Sequence, residues 1–365
     1  MQQFPTGAAG GCEKRVDRRW LLKGALGVSL LSLAVASPAS GHAAAKPLPI
    51  LKPKRLAVGD TVGLVAPGSN VTEDEDIRFA VDLIESLGFR VREGDNLYRR
   101  HYYLAGRAGE RAADLNKMFK DPSIDAVFCI RGGNGSAQTL PDLDYAAIRS
   151  NPKILLGYSD ITSLLNGIHH KTGLVTFHGP VFRDNFTRYT LGEFQKILME
   201  LRAGAVVGAP PVFDSGRGRV ERSNRLTTIN PGRAEGRLIG GNLSLLGSLV
   251  GTPYFPDMEG AILFIEDVSE PVYRIDRMLT HLRLAGVFSK ISALAIGKFT
   301  SIKPFDENSP GLEELFRSYF SGGHIPVLRG LMIGHVDDQT VIPVGIRSRL
   351  DADAKTLTLL ESPVT

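Results

Sequence analysis

The sequence predicts an α/β fold built on a mostly parallel sheet with helices on both faces, and two observations carry that expectation. Short, continuous apolar runs recur where doubly covered strands would lie. Each is followed by a turn-rich segment and then by apolar residues at helical spacing, the pattern of a chain that crosses over to start the next parallel strand. Ligands on such sheets collect at the carboxyl ends of the strands, so the turns after the runs are where function is sought.

In chain order, Thr61-Val-Gly-Leu-Val-Ala66 reads as the first strand, ends in Pro67-Gly-Ser-Asn70 and precedes a helix over Glu73 to Leu87. The same unit recurs at Ala126 to Ile130, followed by Arg131-Gly132-Gly133-Asn134-Gly135, and at Ile154 to Ser159, followed by a helix over Ile161 to His169. From 186 to 236 the pattern loosens into Gly-, Pro- and charge-rich stretches, which predicts a connector crossing the surface. Beyond it lie Arg237-Leu-Ile-Gly-Gly-Asn242, a buried-looking strand Ala261 to Ile265, a helix Tyr273 to Ala285 and a strand Ala293 to Ile296. The expected division is a targeting segment 1–45, an N-terminal α/β domain 46–185, the connector 186–236 and a C-terminal domain 237–365. No repeat of fixed period is present.

The first 45 residues read as an export signal. Arg18-Arg19 precede an apolar run from Gly24 to Ala36, and Ala43-Ala44-Ala45 offers small residues for cleavage before Lys46, the pattern of a twin-arginine signal peptide. The run is too short for a membrane span and is followed by Ser37, Pro38 and Ser40. A periplasmic protein without an integral anchor is therefore expected. Five of the 43 basic and two of the 39 acidic residues fall in this leader, so the remainder carries a formal charge of +1. That balance gives no sign of a nucleic-acid surface, which needs basic residues gathered on one face. Cys129 is the only cysteine after the leader, so no intramolecular disulfide can form, and its apolar surroundings mark it as a core residue.

Candidate chemistry gathers at the strand ends. Gly157-Tyr158-Ser159-Asp160 turns from strand to helix, which would lift the Ser159 hydroxyl above the sheet with a helix N-terminus behind it. Ile161 stands where a nucleophile elbow of the Gly-x-Ser-x-Gly kind has its last glycine, and a plain helix cap is the competing use of Ser159 or Asp160. A serine nucleophile needs a base and an orienting carboxylate. Two histidines stand at apparent strand ends, His178 and His335, and the pattern alone does not choose between them. Glu266 ends the apolar run 261–265, where a charge is either exposed or costly unless paired. The glycine turn 131–135 offers backbone N–H groups for an oxyanion. It lacks the Gly-x-Gly-x-x-Gly spacing and the following acidic residue of a dinucleotide site, and no metal-ligand spacing occurs, so no cofactor and no metal are expected.

Seven motifs in order then resemble one family: Arg131-Gly-Gly-Asn-Gly-Ser136, Leu140-Pro-Asp-Leu-Asp-Tyr145, Gly157-Tyr-Ser-Asp160, His178-Gly-Pro180, Gly240-Gly-Asn-Leu243, Phe264-Ile-Glu-Asp-Val-Ser-Glu-Pro271 with the following Arg-rich helix, and Gly334-His335 with Pro343-Val-Gly345. Together they are similar to the LD-carboxypeptidases of the S66 serine peptidases, over about Leu56 to Gly345. The resemblance implies an N-terminal flavodoxin-like or class I amidotransferase-like parallel-sheet domain, a C-terminal β/α domain of swivelling type, and an active site in the cleft between them. It further implies a Ser159–His335–Glu266 triad, an oxyanion hole from the N–H groups of Gly133 and Asp160, and removal of the terminal D-alanine from a murein tetrapeptide by a homodimer. Asn134 departs from the aromatic residue often found in the glycine turn. Two alternatives remain at this point. One is a microcin-C-immunity-like hydrolase of peptidyl- or aminoacyl-nucleotides, whose usual nucleobase-stacking tryptophan is missing here because the sole tryptophan is Trp20; the other is a non-catalytic binding protein for cell-wall peptides.

Overall fold

A computed structural model describes residues 48–365 apart from Leu201 and Phe305, so the expected export signal and Trp20 lie outside the described residues. Five parallel strands form the first sheet: β1 (Thr61–Val65), β2 (Arg90–Glu93), β3 (Ala126–Cys129), β4 (Ile154–Gly157) and β5 (Thr176–His178). Their order is β5-β4-β3-β1-β2. That is the flavodoxin-like order, with its switch point between β1 and β3. The carboxyl-end loops of those two strands are Pro67–Asn70 and the glycine turn, so the topology brings them together.

The crossovers are helices α1 (Asp74–Ser86), α2 (Ala108–Lys120), α3 (Tyr145–Ser150) and α4 (Thr162–Thr172). α1 shows why these segments are helical: three acids, Asp74, Glu75 and Asp76, occupy the first turn where the helix dipole favours them, and Ile77, Ala80, Leu83 and Ile84 bury one face.

The stretch expected to be a connector is instead built into the body. It carries α5 (Arg188–Leu198), whose Phe194 ring packs against Phe89 and Phe128 at centroid distances of 6.3 and 6.0 Å, inside the core of the first sheet. It also supplies β6 (Val206–Val207) and β7 (Thr227–Asn230), the two outermost strands of a second sheet. The Gly- and Pro-rich composition marked its loops correctly and hid its short elements.

The second sheet has a parallel centre of β8 (Arg233–Asn242), β9 (Ile262–Val268), β10 (Ala293–Thr300) and β11 (Val327–Arg329). Helices α6 (Leu243–Leu249), α7 (Val272–Leu284) and α8 (Leu312–Phe320) connect these strands. The last three strands divide between the sheets. β12 (Ile342–Val344) crosses back and pairs antiparallel with β5, while β13 (Arg347–Asp351) and β14 (Thr356–Leu359) join the second sheet beside β8. A domain boundary at 237 therefore does not divide the chain cleanly, and residues Leu48–Thr365 form one compact unit.

α4 is where the two sheets meet. Asn242 N–H at the end of β8 donates to Thr162 Oγ1 at 2.9 Å, and Asn166 Nδ2 donates to the Gly240 carbonyl at 2.9 Å. Contact this close requires glycine: a Cβ on Gly241, at φ +139°, would stand 2.5 Å from Thr162 Oγ1. At the other end of α4, His169 is buried, with Nδ1 2.9 Å from the Leu174 carbonyl and Gly345 against its ring.

Burial pushes the His169 imidazole down to about 4, against the pull of the Leu174 carbonyl. The unfolded ring titrates near 6.5 and so takes up its proton first as pH falls. Its contribution to stability is complete above about pH 6.5 and is lost progressively down to about pH 4. Urea midpoints measured across that window should fall less steeply for His169→Gln than for the wild type; identical slopes would show that the buried ring does not set the dependence.

Candidate active site

The turn after β4 holds the candidate nucleophile in a strained conformation. Ser159 has φ +61°, and a single 3-10 turn over Ser159–Ile161 leads into α4. A left-handed serine costs on the order of 1–3 kcal/mol and persists only where neighbours over-determine it. They do so here. Gly132 presses on the turn so closely that a Cβ on it would lie 3.0 Å from Ser159 Cβ, from Asp160 N and from the Tyr158 carbonyl.

Asp160 fastens the same turn and is not the cap of α4. Its buried Oδ2 accepts from Ser136 N–H at 2.8 Å, and its carbonyl accepts from Ser136 Oγ at 2.5 Å. Burial pushes its carboxyl up, opposed by Ser136 and by the Arg111 charge. Its backbone N–H and that of Gly133 carry no hydrogen bond among the described residues.

Two supports of the glycine turn are not visible in the sequence pattern. Ser69, in the loop after β1, accepts from Asn134 N–H at 3.0 Å and donates its own N–H to the Gly132 carbonyl at 3.2 Å. Gly133 needs its φ of +96° beside it, since a Cβ there would meet Ser69 Oγ at 2.4 Å. Arg111, in α2, is 1 % exposed and donates to the carbonyls of Pro67, Gly135 and Gly106 and to Gln138 Oε1. One buried guanidinium thus ties both switch-point loops together. A mid-helix arginine reads as solvent-facing, which is why sequence gave no sign of it; the only available signal for Ser69 was its place after the first strand.

On the second sheet, β9 runs through Glu266 to Val268, so the carboxylate sits inside the strand and not at its end. Alternation sends the neighbouring acids to opposite faces. Asp267 accepts from Asn242 Nδ2 at 3.0 Å and from Ser244 N–H and Oγ at 3.0 and 2.7 Å, at the start of α6. Glu266, fully buried, faces the first sheet: Oε2 accepts from His335 Nδ1 at 2.8 Å, and Oε1 lies 3.7 Å from His178 Nε2. Burial alone would raise the Glu266 carboxyl, but the two imidazoles outweigh it and hold it down at about 2.

His335 lies in the loop between β11 and β12, not at a strand end. The backbone reaches Glu266 only because Gly334 has φ +110° and no Cβ, which would stand 2.5 Å from Oε2. With Nδ1 on the carboxylate, Nε2 faces the partly open side, and the ring lies 4.7 Å from that of Tyr158, the residue before Ser159. No hydrogen bond from Ser159 Oγ to His335 is present among the described residues, so the candidate nucleophile and base are neighbours through Tyr158. Burial, with the Glu266 charge, pushes the Tyr158 hydroxyl up to about 12, so it stays protonated. His178 is fully buried on the other oxygen of Glu266.

A cavity of about 410 Å³ opens beside these rings, walled by Tyr158, Pro180, Asp184, Phe186, His335 and Asp337 among others. A larger hollow of about 860 Å³, between Phe213 and Lys355, shares none of the site's residues. Cys129 lies under the turn, 3.1 Å from where a Gly157 Cβ would be, and burial raises its thiol out of the reactive range. No cluster of metal-ligating side chains occurs among the described residues.

The family descriptions "LD-carboxypeptidase N-terminal domain" and "LD-carboxypeptidase C-terminal domain" match residues 62–179 and 235–350. The chain belongs to the LD-carboxypeptidase family, peptidase S66. It is 38% identical to a probable murein peptide carboxypeptidase of Bacillus subtilis over 84% of this chain and 93% of that protein. Among solved structures, it is similar to the microcin C7 self-immunity protein MccF (TM-score 0.78, 31% identity, 86% of this chain and 100% of that one). It is also similar to the muramoyltetrapeptide carboxypeptidase of Oxalobacter formigenes (TM-score 0.69, 30% identity, 82% and 97%). The two-sheet α/β architecture is that of both.

Substitution of Gly334 by alanine should displace Glu266 or the His335 loop by the better part of an ångström. Misplacement on that scale costs on the order of 100-fold in turnover. The expected result is a folded protein with kcat reduced by about that factor; an unchanged kcat would mean that the His335–Glu266 contact tolerates the methyl.

Proposed function

We propose that this protein is a serine LD-carboxypeptidase that removes the terminal D-alanine of murein tetrapeptides in the periplasm. The observation that carries the reading is the 2.8 Å His335–Glu266 contact beside a serine held at positive φ against a glycine turn. In the proposed mechanism His335 Nε2 takes the Ser159 proton as Oγ attacks the amide carbonyl between the L-centre of diaminopimelate and D-alanine. Glu266 keeps the proton-bearing nitrogen of the imidazole directed at itself and stabilises the imidazolium. The N–H groups of Asp160 and Gly133 receive the oxyanion. The imidazolium then protonates the departing D-alanine amine, and water, activated by the same base, releases the tripeptide from Ser159.

MccF has been solved in complex with glutamyl sulfamoyl guanosine, and its likeness keeps a nucleotide-conjugate hydrolase as the second reading. Charge favours the first. The cavity beside His335 presents Asp184 and Asp337, which suit the free ammonium group of a diaminopimelate. A purely binding role leaves the buried, ionised Glu266 on His335 and the strained serine without a use. Export through Arg18-Arg19 and assembly as a homodimer belong to the same proposal.

Incubation of the chain from Lys46 onward with a murein tetrapeptide should release D-alanine and leave a tripeptide, read by mass. A pentapeptide ending in D-Ala-D-Ala should be left intact, because its terminal bond presents a D-centre to Ser159; comparable release from it would make the enzyme a DD-carboxypeptidase. Ser159→Ala should cost on the order of 10⁴-fold or more while the fold is retained, and retention of a tenth of the rate would remove Ser159 from the mechanism.

Replacement of Arg18 and Arg19 by lysine should hold the precursor in the cytoplasm in folded, active form, since no disulfide is required. Undiminished periplasmic activity from that variant would rule out the twin-arginine route.

A further inference from the structure

The mechanism leaves one buried imidazole without a role. His178 ends β5, is 0% exposed, and has neither ring nitrogen within hydrogen-bond distance of a partner. Glu266 Oε1, also buried, is likewise without a donor, and the two unpaired groups face each other at 3.7 Å. Leaving a buried carboxylate oxygen and a buried ring N–H both unpaired is expensive, and less than 1 Å of approach satisfies both.

We infer that His178 is a positioning residue: its Nε2–H donates to Glu266 Oε1 during catalysis and fixes the carboxylate so that Oε2 stays on His335. The inference rests on the Ser159–His335–Glu266 reading above and names a fourth member of that chain. Hydrogen-bond accounting also chooses the tautomer. With the proton on Nε2 the carboxylate gains a donor, and Nδ1 is left as a bare acceptor. A proton on Nδ1 would instead bury an N–H that has no acceptor within hydrogen-bond distance.

The neighbours permit little else. Titratable groups reach this ring from two directions: Glu266 from β9, with His335 beyond its carboxylate, and Tyr158 from the turn after β4 at 6.0 Å. The adjoining strand β12 pairs Ile342 with His178 and brings no charge. Tyr158 stays protonated, so Glu266 is the anion that the ring can serve. Donation to Oε1 draws negative charge away from Oε2, which moderates the basicity that Glu266 confers on His335. A carboxylate gripped from both sides also cannot rotate away from the imidazole when the latter takes up the serine proton.

The test compares wild type with His178→Phe, which keeps a ring of similar size and removes the donor, and with His178→Gln, which keeps an N–H at similar reach. Loss of a hydrogen bond to a charged group predicts that His178→Phe lowers kcat by about 10- to 100-fold with KM little changed. The acid limb of its pH–rate profile should move to higher pH, and His178→Gln should recover most of both effects. A substrate-free arm reads the same property in the resting enzyme: ¹⁵N spectra of the imidazoles should show His178 protonated on Nε2, and the His335 titration should move to higher pH in His178→Phe. A folded His178→Phe variant with wild-type kcat and an unmoved acid limb would overturn the inference, as would a wild-type ring protonated only on Nδ1. If His178→Phe does not fold, the wild-type tautomer and the His178→Gln profile decide the matter. Wild-type inactivity on tetrapeptide would count against the substrate reading alone, because the spectroscopic arm needs no turnover.

Discussion

An ionised carboxylate with no access to water sits in the middle of a strand, and much of the molecule around it is arranged to make that tolerable. Removing a carboxylate from water costs several kcal/mol even after relaxation, on the order estimated for buried ions in proteins. Compensation for Glu266 comes from outside its own sheet: His335 on a loop that bridges the sheets, and His178 at the carboxyl end of β5 in the first. Both depend on β12, which pairs with β5 beside His178 and anchors the far end of the His335 loop. The charge can therefore be buried only when the two sheets are docked. The same docking brings the serine turn near His335, so the condition that makes Glu266 stable is also the one that assembles the candidate site.

The serine turn shows the complementary arrangement. Its strain is local, and the restraints that hold it arrive from two loops: the segment after β3, through Gly132 by contact and Ser136 by hydrogen bonds to Asp160, and the loop after β1, through Ser69 on the glycine turn. Arg111 links those loops from beneath. Since no single contact sets the conformation, the Ser159 side chain itself contributes little to the fold. Its substitution is accordingly a clean probe of chemistry, whereas substitutions at Gly132 or Arg111 mix chemistry with stability.

What the sequence made legible follows from the reach of its signals. β1, β3 and β4 are buried on both faces and appear as unbroken apolar runs, and the turns after them carry Ser159 and the glycine turn, so these were found from pattern alone. The choice of His335 over His178 was not available from pattern, because both follow short apolar runs; it required the family resemblance, and the two rings prove to flank one carboxylate. From sequence Glu266 reads as the end of its strand, because periodicity cannot see a charge compensated from another sheet. β6, β7 and β12 are two to four residues long. Their pairing is decided by distant strands, and nothing local announces it.

The walls of the cavity were the least legible part, and the reason bears on how substrate choice is built. Thr187, which caps α5, donates to Asp338 Oδ1 at 2.7 Å, and Thr190 donates to the Asp337 carbonyl at 2.8 Å while accepting from Gln339 N–H at 2.9 Å. These bonds join the first turn of α5 to the loop that carries His335, about 150 residues later in the chain. One wall of the cavity is thus continuous with the support of His335, the proposed base. A change that reshapes the wall for a different leaving group also shifts His335 relative to Glu266, so specificity and turnover cannot vary independently at these positions. A change of specificity that spares turnover would then have to alter the wall at side chains outside this bonded set, such as Asp184 and Phe186, which line the cavity without holding the loop.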